Sequence, residues 1–187
     1  MMGFEQLVRV PRERVGVIIG RSGEEKKELE ELLKVKLSVD SETGDVMVRA
    51  ESSDLEEVDP FKAIEVIDAI GKGFSPERAR KLLKEDQTFT VIDLRETTGR
   101  SKSSMERIKG RIIGEGGKAR RVIEELTGAS ISIYGHYVSI ICDEAHAKLA
   151  GDAIAMLAAG SEHRSVYETL QKARTKEKLD RMKLWED

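Results

Sequence analysis

The sequence predicts an α+β protein built from two copies of one small unit. Each unit reads as a three-stranded antiparallel sheet packed by three helices, with a short helical connector between the units and a C-terminal helix after them. Three observations carry this. The string Gly16-Val17-Ile18-Ile19-Gly20-Arg21-Ser22-Gly23 returns 94 residues later as Gly110-Arg111-Ile112-Ile113-Gly114-Glu115-Gly116-Gly117. The match runs ungapped over residues 15–39 with nine identities in 25 positions, and a repeat of that length means two copies of one structural unit. After each glycine string an amphipathic helical pattern gives way to short alternating runs split by a turn signal. The length agrees, because 187 residues suit two domains near the lower end of domain size. The boundary falls near Asp86, giving domains 1–86 and 87–187.

In the first copy, residues 7–10 read as a strand that Pro11 ends. Residues 12–19 form a short helix broken at Gly20, and residues 24–34 an amphipathic helix with Leu29, Leu32 and Leu33 on one stripe. Residues 36–40 alternate, Thr43-Gly44-Asp45 turns the chain, and Val46-Met47-Val48 begins the return strand of a hairpin. The acidic stretch 51–59 leads into a third helix, capped by Asp59 with Pro60 at its first position and buried along Phe61, Ile64, Ile67 and Ile70. Gly71-Lys72-Gly73-Phe74 stops that helix. Ser75-Pro76 starts the connector, with Ala79, Leu82 and Leu83 apolar.

The second copy opens with a strand at 88–94. A polar stretch at 97–104, containing Gly99, is expected to be exposed and mobile. A helix at 105–113, the second glycine loop, a helix at 118–127 and strands at 130–134 and 137–142 repeat the pattern. Asp143 caps a helix bearing Ala147, Ala150, Ile154 and Leu157, which Ala158-Ala159-Gly160 closes. Residues 165–185 carry Val166, Leu170 and Ala173 at helical spacing among many charges.

Composition narrows the function classes. The chain is 39% hydrophobic and 36% charged, as expected of a soluble globular protein. No run approaches the ~20 apolar residues of a membrane span and no signal-peptide pattern opens it, so a cytoplasmic protein without a membrane partner is expected. Its single cysteine, Cys142, lies in an apolar strand-like run, which leaves no disulfide or metal-finger site. The histidines His136, His146 and His163 are scattered, and the phosphate-binding motif of nucleotide hydrolases is missing. No catalysis, metal or cofactor is expected. The net charge of −3 hides an asymmetry: residues 1–80 sum to −5 and residues 81–187 to +2, and residues 100–121 alone carry +6. Local field steers a polyanion, so the second copy is the better binder.

A Gly-x-x-Gly turn between two helices lets a backbone approach closely, because no Cβ stands in the way. Its amides and the start of the next helix present partial positive charge to a phosphodiester. Such a loop, with an apolar groove beside it, is the clamp of a KH module, which holds single-stranded RNA by its backbone. The chain thus reads as two type I KH domains in tandem. It resembles, over nearly its whole length, the archaeal KH-domain pre-rRNA processing factors of the partner-of-Nob type, related to the KH-domain ribosomal RNA assembly protein. The resemblance rests on both KH copies, the connector Ala69-Ile70-Gly71-Lys72-Gly73-Phe74-Ser75-Pro76, the string Lys109-Gly110-Arg111-Ile112-Ile113-Gly114 and the ending from Gly160-Ser161 to Val166-Tyr167. It implies binding at the 3′ end of small-subunit ribosomal RNA during subunit maturation. It also implies a PIN-domain endonuclease partner and, in archaea, the alpha subunit of translation initiation factor 2.

In the second copy the expected clamp is Gly114, Glu115, Gly116 and Gly117, ringed by Arg111, Lys118, Arg120 and Arg121. Glu115 departs from the family pattern, which commonly has a basic residue there. Tyr134, His136 and Tyr137 sit near the hairpin turn, as exposed packing or as a stacking surface for bases. In the first copy Gly20, Arg21, Ser22 and Gly23 keep the loop, with Lys26 beside it, but Glu24-Glu25 replace Lys118-Ala119. Two acids at a helix start satisfy its dipole and oppose a phosphate. The first copy is therefore the weaker RNA site or a protein-docking surface. Two other readings stay open: a protein adaptor with vestigial clamps, and an RNA-binding regulator unrelated to ribosomes.

Overall fold

The computed structural model describes residues 3–50 and 59–184, and the chain divides into two compact units, 1–85 and 86–187. In the first, β1 (Phe4–Arg9) leads to α1 (Arg12–Ile19), a tight turn at Arg21–Gly23, α2 (Glu24–Leu33), the hairpin of β2 (Lys36–Val39) and β3 (Asp45–Ala50), and α3 (Pro60–Gly71). The sheet is antiparallel in the order β1-β3-β2, with Val46 paired to both Val8 and Val39. Alternation decides which face is covered: Val8, Leu37, Val46 and Val48 are buried, while Leu7 stays 45% exposed. The short α4 (Pro76–Ala79) and the turn Arg80–Leu83 pack back on α3 through the buried Ala79 and Leu82.

The second unit repeats this plan with additions. Strand β4 (Gln87–Asp93) is followed by a four-residue α5 (Arg95–Thr98), then α6 (Lys102–Ile113), a turn at Glu115–Gly117, α7 (Lys118–Thr127), β5 (Ser130–Tyr134), β6 (Tyr137–Asp143), α8 (Glu144–Ala158) and the long α9 (His163–Lys183). The strand order β4-β6-β5 matches that of the first unit. Ile112, Ile123, Ile131, Ile140 and Ile154 meet in one core that also takes in Val166 and Leu170 of α9.

The predicted caps hold. Asp59 Oδ1 accepts from the Phe61 amide at 2.9 Å with Pro60 in the first turn, and Asp143 Oδ1 accepts from the His146 amide at 2.9 Å. The acidic lead-in at 51–58 and the end of the last predicted helix at 185 lie outside the described residues.

Three expectations are corrected. Phe61 is 65% exposed rather than buried. The inward face of α3 is taken by Ala63, Ile67 and Ile70 at i, i+4 and i+7, and Phe61, two residues from Ala63, falls on the far side against the ring of Phe4. Leu32 is likewise half exposed, because Leu29 and Leu33 alone form the inward line of α2. The polar stretch 97–104 is largely helical: it closes α5 and opens α6, whose N-cap Ser101 accepts from the Ser104 amide at 3.3 Å. Ser101 is there as capping chemistry rather than loop composition.

Candidate nucleic-acid interface

The two glycine loops share one conformation. The first glycine has φ 71° and ψ −175° at Gly20 and φ 74° and ψ 173° at Gly114. The third loop residue has φ 53° at Ser22 and φ 56° at Gly116, and the last has φ 78° at both Gly23 and Gly117. Gly20 and Gly114 are irreplaceable on two counts. A Cβ there would stand 2.5 Å from the Cβ of Glu25 and 2.7 Å from that of Ala119, and the φ is left-handed. Neither Gly23 nor Gly117 caps its helix with a side chain. The first-turn amides of α2 and α7 thus keep the partial positive charge that suits an anion.

One shared feature carried no role in the sequence reading beyond its place in the repeat. Gly16 and Gly110 lie inside α1 and α6 on exposed faces, with nothing within 4 Å of where a Cβ would be. Glycine in a helix interior costs about 1 kcal/mol relative to alanine, and packing within the protein gives no reason for it. Each leaves a bare strip of helix backbone one turn ahead of the loop. Its signal, a helical glycine in both copies, was present in the repeat itself.

The repeated Glu30 and Glu124 have an internal role. Glu30 Oε1 accepts from the Leu37 amide at 2.7 Å and Glu124 Oε1 from the Ile131 amide at 2.8 Å. Each ties the helix after the loop to the strand that follows it.

Charge separates the two copies. Around the second loop, Lys118 and Arg121 are exposed, and Arg121 Nη1 lies 3.5 Å from where a Cβ on Gly117 would stand, so its guanidinium overhangs the loop. Arg120 is half-buried, and its Nε is buried without a hydrogen-bond partner. Glu115 and Gly116 occupy the exposed tip. Arg111 has a different employment from the one its neighbourhood implied. Its Nε donates to Leu157 O at 3.0 Å and its Nη2 to Ser161 O at 2.5 Å. That guanidinium is directed into the fold, holding the end of α8, and not at the loop.

Around the first loop, Arg21 and Ser22 are exposed. Lys26 pairs with Glu30 at 3.5 Å, and Glu25 pairs with Arg80 of the connector, which also reaches Glu28 at 3.1 Å. Glu24 remains exposed in the first turn of α2. The acids at this helix start are thus partly neutralised from within the unit, but no cation replaces Lys118.

Near the β5–β6 turn, the rings of His136 and Tyr137 lie 4.0 Å apart, both half-buried. Asp93 is held down at about 2 by its hydrogen bonds from Arg95. Cys142 is buried, and desolvation pushes its thiol up to about 11, the opposite of an activated nucleophile. Among the described residues no cluster of three His, Cys, Asp or Glu side chains could hold a metal ion, and no helix is long and apolar enough to cross a membrane.

A Gly-x-x-Gly turn joining two helices against a β1-β3-β2 sheet, present twice, defines a tandem KH protein of type I. Residues 88–175 match the eukaryotic type KH-domain (KH-domain type I) and residues 5–58 the KH domain. The chain is 39% identical over 180 residues to a KH domain-containing protein of Methanocaldococcus jannaschii, covering 96% of this chain and 78% of that one. It is 30% identical over 124 residues to the pre-rRNA-processing protein pno1 of Schizosaccharomyces pombe, covering 63% of this chain but spanning only half the length of that relative. It superposes on a chain of the crystal structure of an a/eIF2alpha-aDim2p-rRNA complex from Pyrococcus horikoshii with a TM-score of 0.86 and 39% identity, over 94% of this chain and 97% of that one. The chain belongs to the KH-domain proteins related to the Pno1/Dim2 pre-rRNA-processing factors.

Proposed function

We propose that the protein binds single-stranded ribosomal RNA at the 3′ end of the small-subunit RNA as a cytoplasmic ribosome-maturation factor, and that it does so without catalysing a reaction. The second KH domain, 87–187, is the principal site and the first, 1–86, the weaker one. The observation that carries the ranking is the first turn after each loop: Lys118 with the overhanging Arg121 in one, Glu24 with the Arg80-bound Glu25 in the other. The contact set is the amides of Glu115 and Gly116, Lys118, Arg121 and the bare backbone at Gly110, with Arg120 at its margin; the amides of Gly114, Gly117 and Lys118 are spent on the turn itself. Gly20, Arg21, Ser22, Gly23 and Lys26 form the weaker counterpart. Support for the RNA and for one partner comes from the Pyrococcus relative, found in complex with rRNA and a/eIF2alpha. The PIN-domain endonuclease follows from the family resemblance alone.

Titration of a single-stranded rRNA 3′-end oligonucleotide against Gly116→Asp and Ser22→Asp variants tests this. A carboxylate at the loop tip meets the phosphate, so Gly116→Asp is expected to lose far more affinity than Ser22→Asp. The reverse order overturns the ranking, and background binding by the unsubstituted protein at low salt favours an adaptor.

A further inference from the structure

Among the described residues, helix α9 has no counterpart in the first unit, where the corresponding segment is the four-residue α4. Its contacts converge on the two helices that frame the second loop. The ring Nε2 of His163, its first residue, lies 2.8 Å from Arg111 O. That carbonyl belongs to the last turn of α6, where carbonyls lack an intrahelical partner. The neighbouring Gly110 O is already taken by the Gly114 amide. Because the acceptor is a carbonyl, the imidazole Nε2 is the donor. Arg111 answers with its guanidinium, which donates to Leu157 O and Ser161 O on either side of the turn into α9. Further along, Arg174 Nη1 reaches Glu125 O in the last turn of α7 at 3.4 Å, and Val166 and Leu170 are buried in the shared core. One helix therefore fastens the end of α6 and the end of α7, and Gly114–Gly117 is the span between those two helices.

The first unit closes its corresponding turn differently. Arg14 donates to Ile70 O at 2.9 Å and to Phe74 O at 2.7 Å, from a position one helical turn further from its loop than Arg111. In the second unit the bracket has moved to the last turn before the clamp.

We propose that the His163–Arg111 bracket is a positioning element for the second clamp. It holds the end of α6 and the internally bonded amides of Gly114, Gly117 and Lys118, so that the amides of Glu115 and Gly116 are preset for phosphate, and it does not itself touch RNA. Preset donors bind more tightly because less ordering remains to be done on association. Arg111, which the sequence places among the phosphate contacts, acts through the loop. This rests on the reading that the second loop grips RNA.

The test compares His163→Gln with His163→Asn in the full chain. Glutamine places an amide donor near the Nε2 position, while asparagine falls short of it. Three quantities are read: affinity for the 3′-end oligonucleotide, the slope of log affinity against log salt, and amide hydrogen exchange of 114–118 without RNA. His163→Asn is expected to weaken binding about three- to tenfold, the worth of one hydrogen bond. It should speed exchange at the loop amides and leave the salt slope unchanged, and His163→Gln should behave as the original. Equal affinity and equal loop exchange for the two variants would overturn the proposal. So would a slope reduced by about 0.7, since that marks a lost phosphate contact. Absence of RNA binding by the unsubstituted protein would refute the underlying reading, whereas loop exchange tests the bracket without RNA.

Discussion

Single residues separate what the loop needs from what it offers. Gly114 and Gly110 stand four apart, and both look like motif glycines, yet their surroundings are opposite. A methyl group at Gly114 meets Ala119 at 2.7 Å from a left-handed backbone, whereas one at Gly110 meets nothing. Gly114→Ala should therefore destabilise the second unit by more than ~2 kcal/mol, combining left-handed strain with a backbone clash. Gly110→Leu should leave stability unchanged or raise it by ~0.5 to 1 kcal/mol, since leucine is the better helix former. It should nevertheless lower RNA affinity, because a side chain then covers the backbone strip. Thermal denaturation together with an RNA titration separates the two variants. Normal affinity in folded Gly110→Leu would remove that strip from the interface. The loop itself was legible in the sequence because its first and last positions, Gly20 and Gly23 in one copy and Gly114 and Gly117 in the other, take the positive φ that favours glycine. The bracketing of Arg111 was not, because its acceptors, Leu157 O and Ser161 O, are backbone carbonyls some fifty residues away with no side-chain signature.

Among whole elements, strands and capped helices follow from local pattern, and the misjudged faces follow from tertiary choice. Asp59-Pro60 and Asp143 announced α3 and α8, because caps are local chemistry. Phe61 went astray because two apolar stripes were available and only packing selects between them. Val166 and Leu170 dock α9 as their spacing predicts, but the polar tie further along it is one that no periodicity reveals. His146 Nδ1 lies 2.7 Å from Asp143 Oδ1, its Nε2 lies 2.8 Å from Glu177 Oε2, and Arg181 pairs with the same Glu177 carboxylate. The Glu177 hydrogen bond, with Asp143 behind it, raises the His146 pKa above its free value of 6.5. The same bond holds Glu177 below its free 4.5. A raised histidine contributes fully below 6.5 and is lost as pH rises through its folded value. A depressed carboxylate contributes above 4.5 and is lost as pH falls through its folded value. The tie should hold α9 best between about pH 4.5 and 6.5. Amide protection factors over 170–183, corrected for intrinsic exchange, should accordingly fall as the pH rises above 6.5. His146→Leu should abolish that dependence, and an unchanged profile in the variant would show that the tie does not govern α9.

For the molecule as a whole, total charge misleads and local charge decides. A chain with a net charge of −3 and pI near 5.8 is a poor polyanion binder on average, and only the division between its two units makes RNA binding physically reasonable. The structure sharpens that division. In the first unit Arg80 and Lys26 are engaged by Glu25, Glu28 and Glu30, and the exposed Arg21 and Lys27 stand beside the exposed Glu24, while Lys118 and Arg121 stay exposed beside the second loop. An engaged cation releases few counterions when RNA arrives, because its carboxylate partner already screens it; an exposed one releases its share. Each phosphate neutralised on a single strand contributes about 0.7 to the slope of log affinity against log salt. Replacing both Lys118 and Arg121 with alanine should thus flatten the slope by about 1.4. Replacing Lys26 and Arg80 should flatten it much less, although Arg80→Ala also frees Glu25 beside the first loop. Titrations from about 50 to 200 mM salt, a range over which phosphate contacts are strongly resolved, measure both differences. Equal flattening by the two pairs would mean that the first loop carries as many phosphates as the second, and the charge division would then have no bearing on where the RNA lies.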